Sequence, residues 1–211
     1  MTTAVNLPTP PDFVTFAATW QNDGITRLLN YVWEGYDELC RQRPTTLNAR
    51  DEVSVNLHLA IQIERKKPKS CPFAFVHTPP ELATRLASSR PAPAPDFGFL
   101  PLDNLAVMLP LEAKVLKTER DLSEYLKALR TRFLQCRYAP YSTEGVMLGY
   151  LLTGETEAAF KNLKRKLRVK LDLHHDFLMR PHHISEHQRR HRRCKTSPTE
   201  FRCHHLMMAF A

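Results

Sequence analysis

Apolar residues recur at helical spacing from about Ile25 to Arg41, with Ile25, Leu28, Leu29, Val32, Trp33, Tyr36 and Leu39 on one face. This predicts a long amphipathic helix, closed by Pro44. A second stripe, Leu122, Tyr125, Leu126, Leu129 and Phe133, predicts a helix over Glu119–Cys136, and a third helix is expected over Glu155–Val169. Residues 51–65 fit two periods. Val53, Val55, Leu57, Leu59, Ile61 and Ile63 alternate as in a strand, whereas Val53, Leu57, Ala60, Ile61 and Glu64 share one helical face. Asn48 as a cap, with Asp51 and Glu52 at the positive end of the dipole, favours helix.

Short apolar runs predict strands at Phe73–His77, Phe97–Leu100, Leu105–Leu116, Val146–Leu152 and Phe201–Phe210. Leu102-Asp103-Asn104 supplies turn residues between the second and third. A helical turn is expected at Glu81–Ser88, an extended stretch at Arg90–Pro95, where alternate prolines oppose helix, and a loop at Tyr138–Gly145. Met1–Asp12 reads as a loose arm, and 174–195 is rich in His and Arg without a period. Helix, three strands, helix, strand, helix is the order of an α/β mixed sheet flanked by helices. The chain divides into an arm and helix (1–47), a core (48–170) and a basic His/Arg-rich segment with a final strand (171–211).

The 211 residues are 43% hydrophobic, enough for one core. Net charge is +8, and residues 161–205 hold 13 Lys/Arg against 4 Asp/Glu, so the excess sits in that stretch. Such asymmetry points to a polyanion, most often nucleic acid. No apolar run reaches the roughly 18 residues of a membrane helix, and no secretory signal is apparent. Five cysteines without paired spacing are expected as reduced thiols in a cytoplasm.

The candidate chemistry lies in Pro95-Asp96-Phe97-Gly98-Phe99 and Leu109-Pro110-Leu111-Glu112-Ala113-Lys114-Val115-Leu116. Residues two apart in a strand share a face, so Glu112 and Lys114 project together. The hairpin turn brings Asp96 opposite residues 110–112. Two carboxylates and the Ala113 carbonyl can hold Mg²⁺ or Mn²⁺, and Lys114 can orient a water and offset transition-state charge. Glu52 can add a carboxylate, with Asp51 its competitor. Pro101 and Pro110 require an irregular hairpin.

Glu52, Pro95-Asp96 and Glu112-Ala113-Lys114, in this element order over about residues 48–170, resemble the PD-(D/E)xK nuclease superfamily, the restriction endonuclease-like fold. Pro110–Leu116, Arg137-Tyr138-Ala139-Pro140 and Gly145–Leu151 are similar to a bacterial, often mobile-element-associated, nuclease-like family. The resemblance implies Asp96 and Glu112 as metal ligands, Lys114 as catalytic lysine and Glu52 as accessory carboxylate. It also implies a defence or mobile-element setting, and a homodimer or a partner protein that supplies specificity. The expected substrate is DNA, less so RNA.

Arg137 can grip phosphate and Tyr138 can stack on a base, while Lys164, Arg165 and Arg168 offer phosphate contacts. Gly145 and Gly149 are expected at turns or close-packed positions. Cys194, Cys203, His204 and His205, with His182, His183, His187 and His191 near in sequence, form a weaker zinc candidate, without finger-like spacing.

Overall fold

A computed structural model describes residues 12–81, 92–138, 140–194 and 197–210. Three helices lead: α1 (Phe13–Trp20), α2 (Gly24–Gln42) and α3 (Glu52–Lys66). They are followed by β1 (Phe73–His77), β2 (Phe97–Pro101) and β3 (Leu109–Leu116). A helix α4 (Ser123–Ala128) runs into a π turn at Leu129–Phe133, then come β4 (Glu144–Leu151) and α5 (Thr156–Leu167). The chain ends with β5 (Leu171–Leu173), a 3₁₀ turn (His175–Phe177), β6 (His182–Gln188), a second 3₁₀ turn (Arg192–Cys194) and β7 (Glu200–Ala209). Among the described residues no helix is long and apolar enough to cross a membrane.

The strands form one mixed sheet in the order β1-β2-β3-β4-β7-β6-β5. β3 pairs antiparallel with β2 and parallel with β4, and β4 is parallel to β7. β4 is buried along its whole length, as a central strand covered on both faces must be. Val146, Leu148 and Tyr150 join one core with residues of α1, α2 and α3. Met147 and Leu151 join the other, with α4, the π turn and α5.

The ambiguous 51–65 pattern is helical. Val55, Leu59 and Ile63 are buried, while Val53, Leu57 and Ile61 are 48–59% exposed. Alternation arose because α3 carries two apolar stripes, one of them facing out. Its cap is Asp51, which accepts from Val53 N at 3.1 Å, not Asn48.

Several expectations are corrected. Asp12 is no part of a loose arm: it caps α1, and its carboxylate accepts from Thr143 N (3.0 Å) and Thr143 Oγ1 (2.6 Å). Residues 1–11 lie outside the described residues, as does the expected helical turn beyond Glu81. The third strand begins at Leu109, not Leu105, because turns occupy 102–106. The regular helix expected over Glu119–Cys136 begins at Ser123 and ends in the π turn. The segment 171–211 contributes three strands, since imidazoles and Ser185 fill positions where aliphatic residues would have revealed the alternation. The expectation of five free thiols fails at Cys136 and Cys194, which form a disulfide.

Candidate functional site

The site forms where β2 leaves β3. Their pairing stops at Phe97–Leu111, so the outer edge of β3 loses its strand partner from Glu112 onward. Unpaired backbone donors at a half-buried edge need acceptors. Asp96 Oδ2 accepts from Ala113 N at 2.8 Å and Glu52 Oε2 from Val115 N at 3.4 Å. The irregularity imposed by proline is local. Pro110 lacks an N–H, and the β3–β4 ladder begins only at Leu111.

Around this edge the structure gathers Asp96, Glu112, Lys114 and Glu52. Lys114 Nζ lies 2.8 Å from Glu52 Oε1, 2.9 Å from Glu112 Oε1 and 3.9 Å from Asp96 Oδ2, and it donates to the Ala113 carbonyl. The ammonium thus contacts every oxygen-bearing group expected around the cation. Side-chain exposure rises outward, from 0% at Glu112 through 15% at Lys114 and 20% at Asp96 to 30% at Glu52. Glu52 rather than Asp51 reaches the cluster, because Asp51 is held by its cap bond.

Other residues brace the site. Tyr150 Oη donates to Asn56 Oδ1 (2.7 Å), and Asn56 Nδ2 donates to Asp96 Oδ1 (3.1 Å). Both Asp96 oxygens are therefore fixed. Gly149 lies beside Lys114 in the parallel register, and a Cβ there would come within 2.5 Å of Met207 Sδ. Gly145 is likewise close-packed, against Phe133.

Arg132 was not singled out from the sequence. It lies in the π turn, and its guanidinium donates to Glu112 Oε1 and, at 2.9 Å, to Tyr138 Oη. Nothing in the periodicity separates it from Arg130, because the π turn changes which residues face the sheet. π turns are frequent at functional sites. Tyr138 is corrected as a base-stacking residue: it is buried, its hydroxyl donates to Ala94 O at 2.8 Å, and its ring packs edge-on to Phe133. Arg137 is exposed.

Three carboxylates face two cations, and the electrostatics reflect that imbalance. Burial, then the neighbouring Glu112 charge, pushes the Asp96 carboxyl up to about 6, against relief from the Ala113 N–H, Lys114 and Arg132. Burial alone would push the Lys114 ammonium down, but Glu112, Glu52 and Asp96 together outweigh it and raise its pKa. Glu112 Oε2 is buried without a hydrogen-bond partner among the described residues. An orphaned carboxyl oxygen beside a carboxyl with a raised pKa fits a missing positive charge. Mg²⁺ or Mn²⁺ would draw on Asp96, Glu112 and the Ala113 carbonyl, and the last of these is at present taken by Lys114.

Lys164 and Arg165 are exposed on α5, and Arg168 is exposed at its left-handed C-cap, φ 59°. α5 packs in the core that contains Met147, the register partner of Glu112, so the basic helix and Glu112 share a side of the sheet. Lys161, Lys164 and Arg180 border a groove of about 710 Å³ beside α5.

The cysteine-containing zinc set does not assemble. Cys194 is bonded to Cys136, and buried Cys203 has its thiol against His205. His205 is held by Tyr125 Oη (2.9 Å) and Ser185 Oγ (2.7 Å). His187 meets the same hydroxyl, and His183 stacks on Phe160. Scans against protein-family models, curated proteins and solved structures each found no match to this chain.

Proposed function

We propose that this protein is a metal-dependent endonuclease of the PD-(D/E)xK, restriction endonuclease-like type, hydrolysing DNA phosphodiester bonds, with RNA the less favoured substrate. The carrying observation is the convergence of Asp96, Glu112, the Ala113 carbonyl and Glu52 on the Lys114 ammonium. When bound, Mg²⁺ or Mn²⁺ would supply charge to the phosphoryl oxygens and acidify a water. The chain's own residues do the rest. Asn56 and the Ala113 N–H hold Asp96 in one orientation. Lys114, displaced outward from the Ala113 carbonyl, donates to the attacking water and offsets the charge that develops on the phosphoryl oxygens. Arg132, 37% exposed beside Glu112, is placed to receive a phosphate oxygen. Lys164, Arg165 and Arg168 add sequence-independent contacts to the backbone.

The bacterial defence or mobile-element setting rests on the resemblance, whereas the cytoplasm as its location rested on reduced thiols, and the Cys136–Cys194 disulfide weighs against that ground. The exposed Val53, Leu57 and Ile61 stripe supports a partner protein or second copy on α3.

A second reading, a nucleic-acid-binding or assembly protein without catalysis, is favoured by one observation: Lys114 and Arg132 already occupy the carboxylate cluster. The two readings separate when plasmid, linear and single-stranded DNA, and RNA, are incubated with Mg²⁺, Mn²⁺ or EDTA. Cleavage that needs the metal and disappears in a folded Lys114→Ala variant supports the nuclease. Equal cleavage by wild type and variant sinks it, and salt-sensitive binding without cleavage selects the second reading.

A further inference from the structure

We propose that His174, His182 and His204 form a zinc site, distinct from the carboxylate cluster. Their ligand nitrogens all lie within 4.8 Å of one another, and the three residues are 5%, 0% and 2% exposed. His182 Nε2 and His204 Nδ1 are 3.2 Å apart. Two nitrogens on a tetrahedral zinc, each about 2.0–2.1 Å from it, sit about 3.3 Å from one another. Two of the three positions therefore already have the required separation, and the His174 ring must close by a small movement.

The surroundings suit a metal more than an accidental cluster. His204 Nε2 meets Glu144 Oε2 at 2.9 Å, which leaves its Nδ1 turned inward. A carboxylate on the far nitrogen fixes the ring and strengthens it as a donor, the usual support for a zinc-bound imidazole. The three residues come from separate elements: His174 precedes a 3₁₀ turn, His182 opens β6 and His204 lies in β7. A shared ion would tie this end of the sheet together under Trp33 of α2, whose ring is 6.2 Å from that of His182.

One feature opposes binding. Trp33 Nε1 donates to His182 Nδ1 at 3.4 Å, and Asp176 N donates to His174 Nδ1 at 3.2 Å. These bonds put the ring hydrogens of both histidines on the inward Nε2 atoms. Coordination moves each hydrogen to Nδ1, with no net proton released, and gives up three hydrogen bonds, these two and the one between His182 and His204, for three coordination bonds.

The test equilibrates the full chain with Zn²⁺, removes free metal by gel filtration and measures bound zinc. One equivalent in wild type and in Asp96→Asn is expected, with loss in His204→Gln and in His174→Ala. Glu144→Gln, acting through His204, should weaken binding about tenfold or more. Zinc absent from wild type, retained by both histidine variants, or lost with Asp96→Asn overturns the proposal. Because the variants can lose their fold, Co²⁺ is also titrated into wild type. An intense tetrahedral spectrum supports the site, and a weak octahedral one overturns it. Failure of the nuclease reading would leave these outcomes unchanged.

Discussion

The carboxylate cluster on β3 and the imidazole cluster on β6 and β7 lie in one sheet and solve opposite problems. The first holds three carboxylates and two cations at an open strand edge, with Glu112 fully buried and Glu52 30% exposed. The second holds three buried imidazoles and one carboxylate. Oxygen donors and surplus negative charge suit a hard cation that keeps water, whereas neutral nitrogen donors suit zinc. Charge near the surface can be exchanged for substrate. Imidazoles inside the core are in a position to link the elements that carry them.

The largest expected effect breaks the first region alone. Lys114→Ala should lower cleavage by about 10²–10³-fold, as the loss of one transition-state donor does, read from metal-dependent plasmid nicking. An equal loss in His204→Gln at a temperature where it is folded would mean that the two regions are not separate.

The next contrast is in pH. The Asp96 carboxyl is raised from 3.8 to about 6, so the folded state binds its proton more tightly than the unfolded chain. Its contribution is complete below about pH 4 and lost as pH rises through 6, by about 3 kcal/mol at most. His174 has the opposite sign. Its pKa falls from 6.5 to about 4, so its contribution is complete above pH 6.5 and lost as pH falls toward 4, by a similar upper limit. Denaturation in EDTA should show the first slope removed by Asp96→Asn and the second by His174→Ala. Mg²⁺ should flatten only the first.

Trp33→Phe should cost about 1 kcal/mol in metal-free protein through its bond to His182. With zinc bound the hydrogen-bond part of that cost should vanish, since coordination already gives up the bond. Smallest is the basic helix: Lys164→Ala with Arg165→Ala should weaken DNA binding and reduce the salt slope by about 2, without altering metal dependence.

Much of the first region was legible because its elements obey simple periods. The i, i+2 spacing put Glu112 and Lys114 on one face, and the hairpin turn placed Asp96 opposite Glu112 despite Pro110. The choice of Glu52 over Asp51 was not legible, since it depends on which carboxylate the helix cap consumes. Arg132 was hidden by a π turn that its sequence does not announce. The second region was legible in part: His182 and His204 stood among the zinc candidates of the sequence, and His174 did not. The sequence showed many histidines in 174–205, but the neighbours it suggested were cysteines, one of which is in a disulfide.

The sequence by itself determined the helices with clear stripes, the apolar strands, the basic excess and the Asp96/Glu112/Lys114 grouping, because each follows from local spacing and short-range turns. Only the tertiary structure decided that β5 and β6 extend the sheet beyond β7, that Arg132 touches Glu112, and that His174 meets His182 and His204. Those contacts depend on where one strand ends and another pairs, which is settled by burial and backbone hydrogen bonding across the whole sheet.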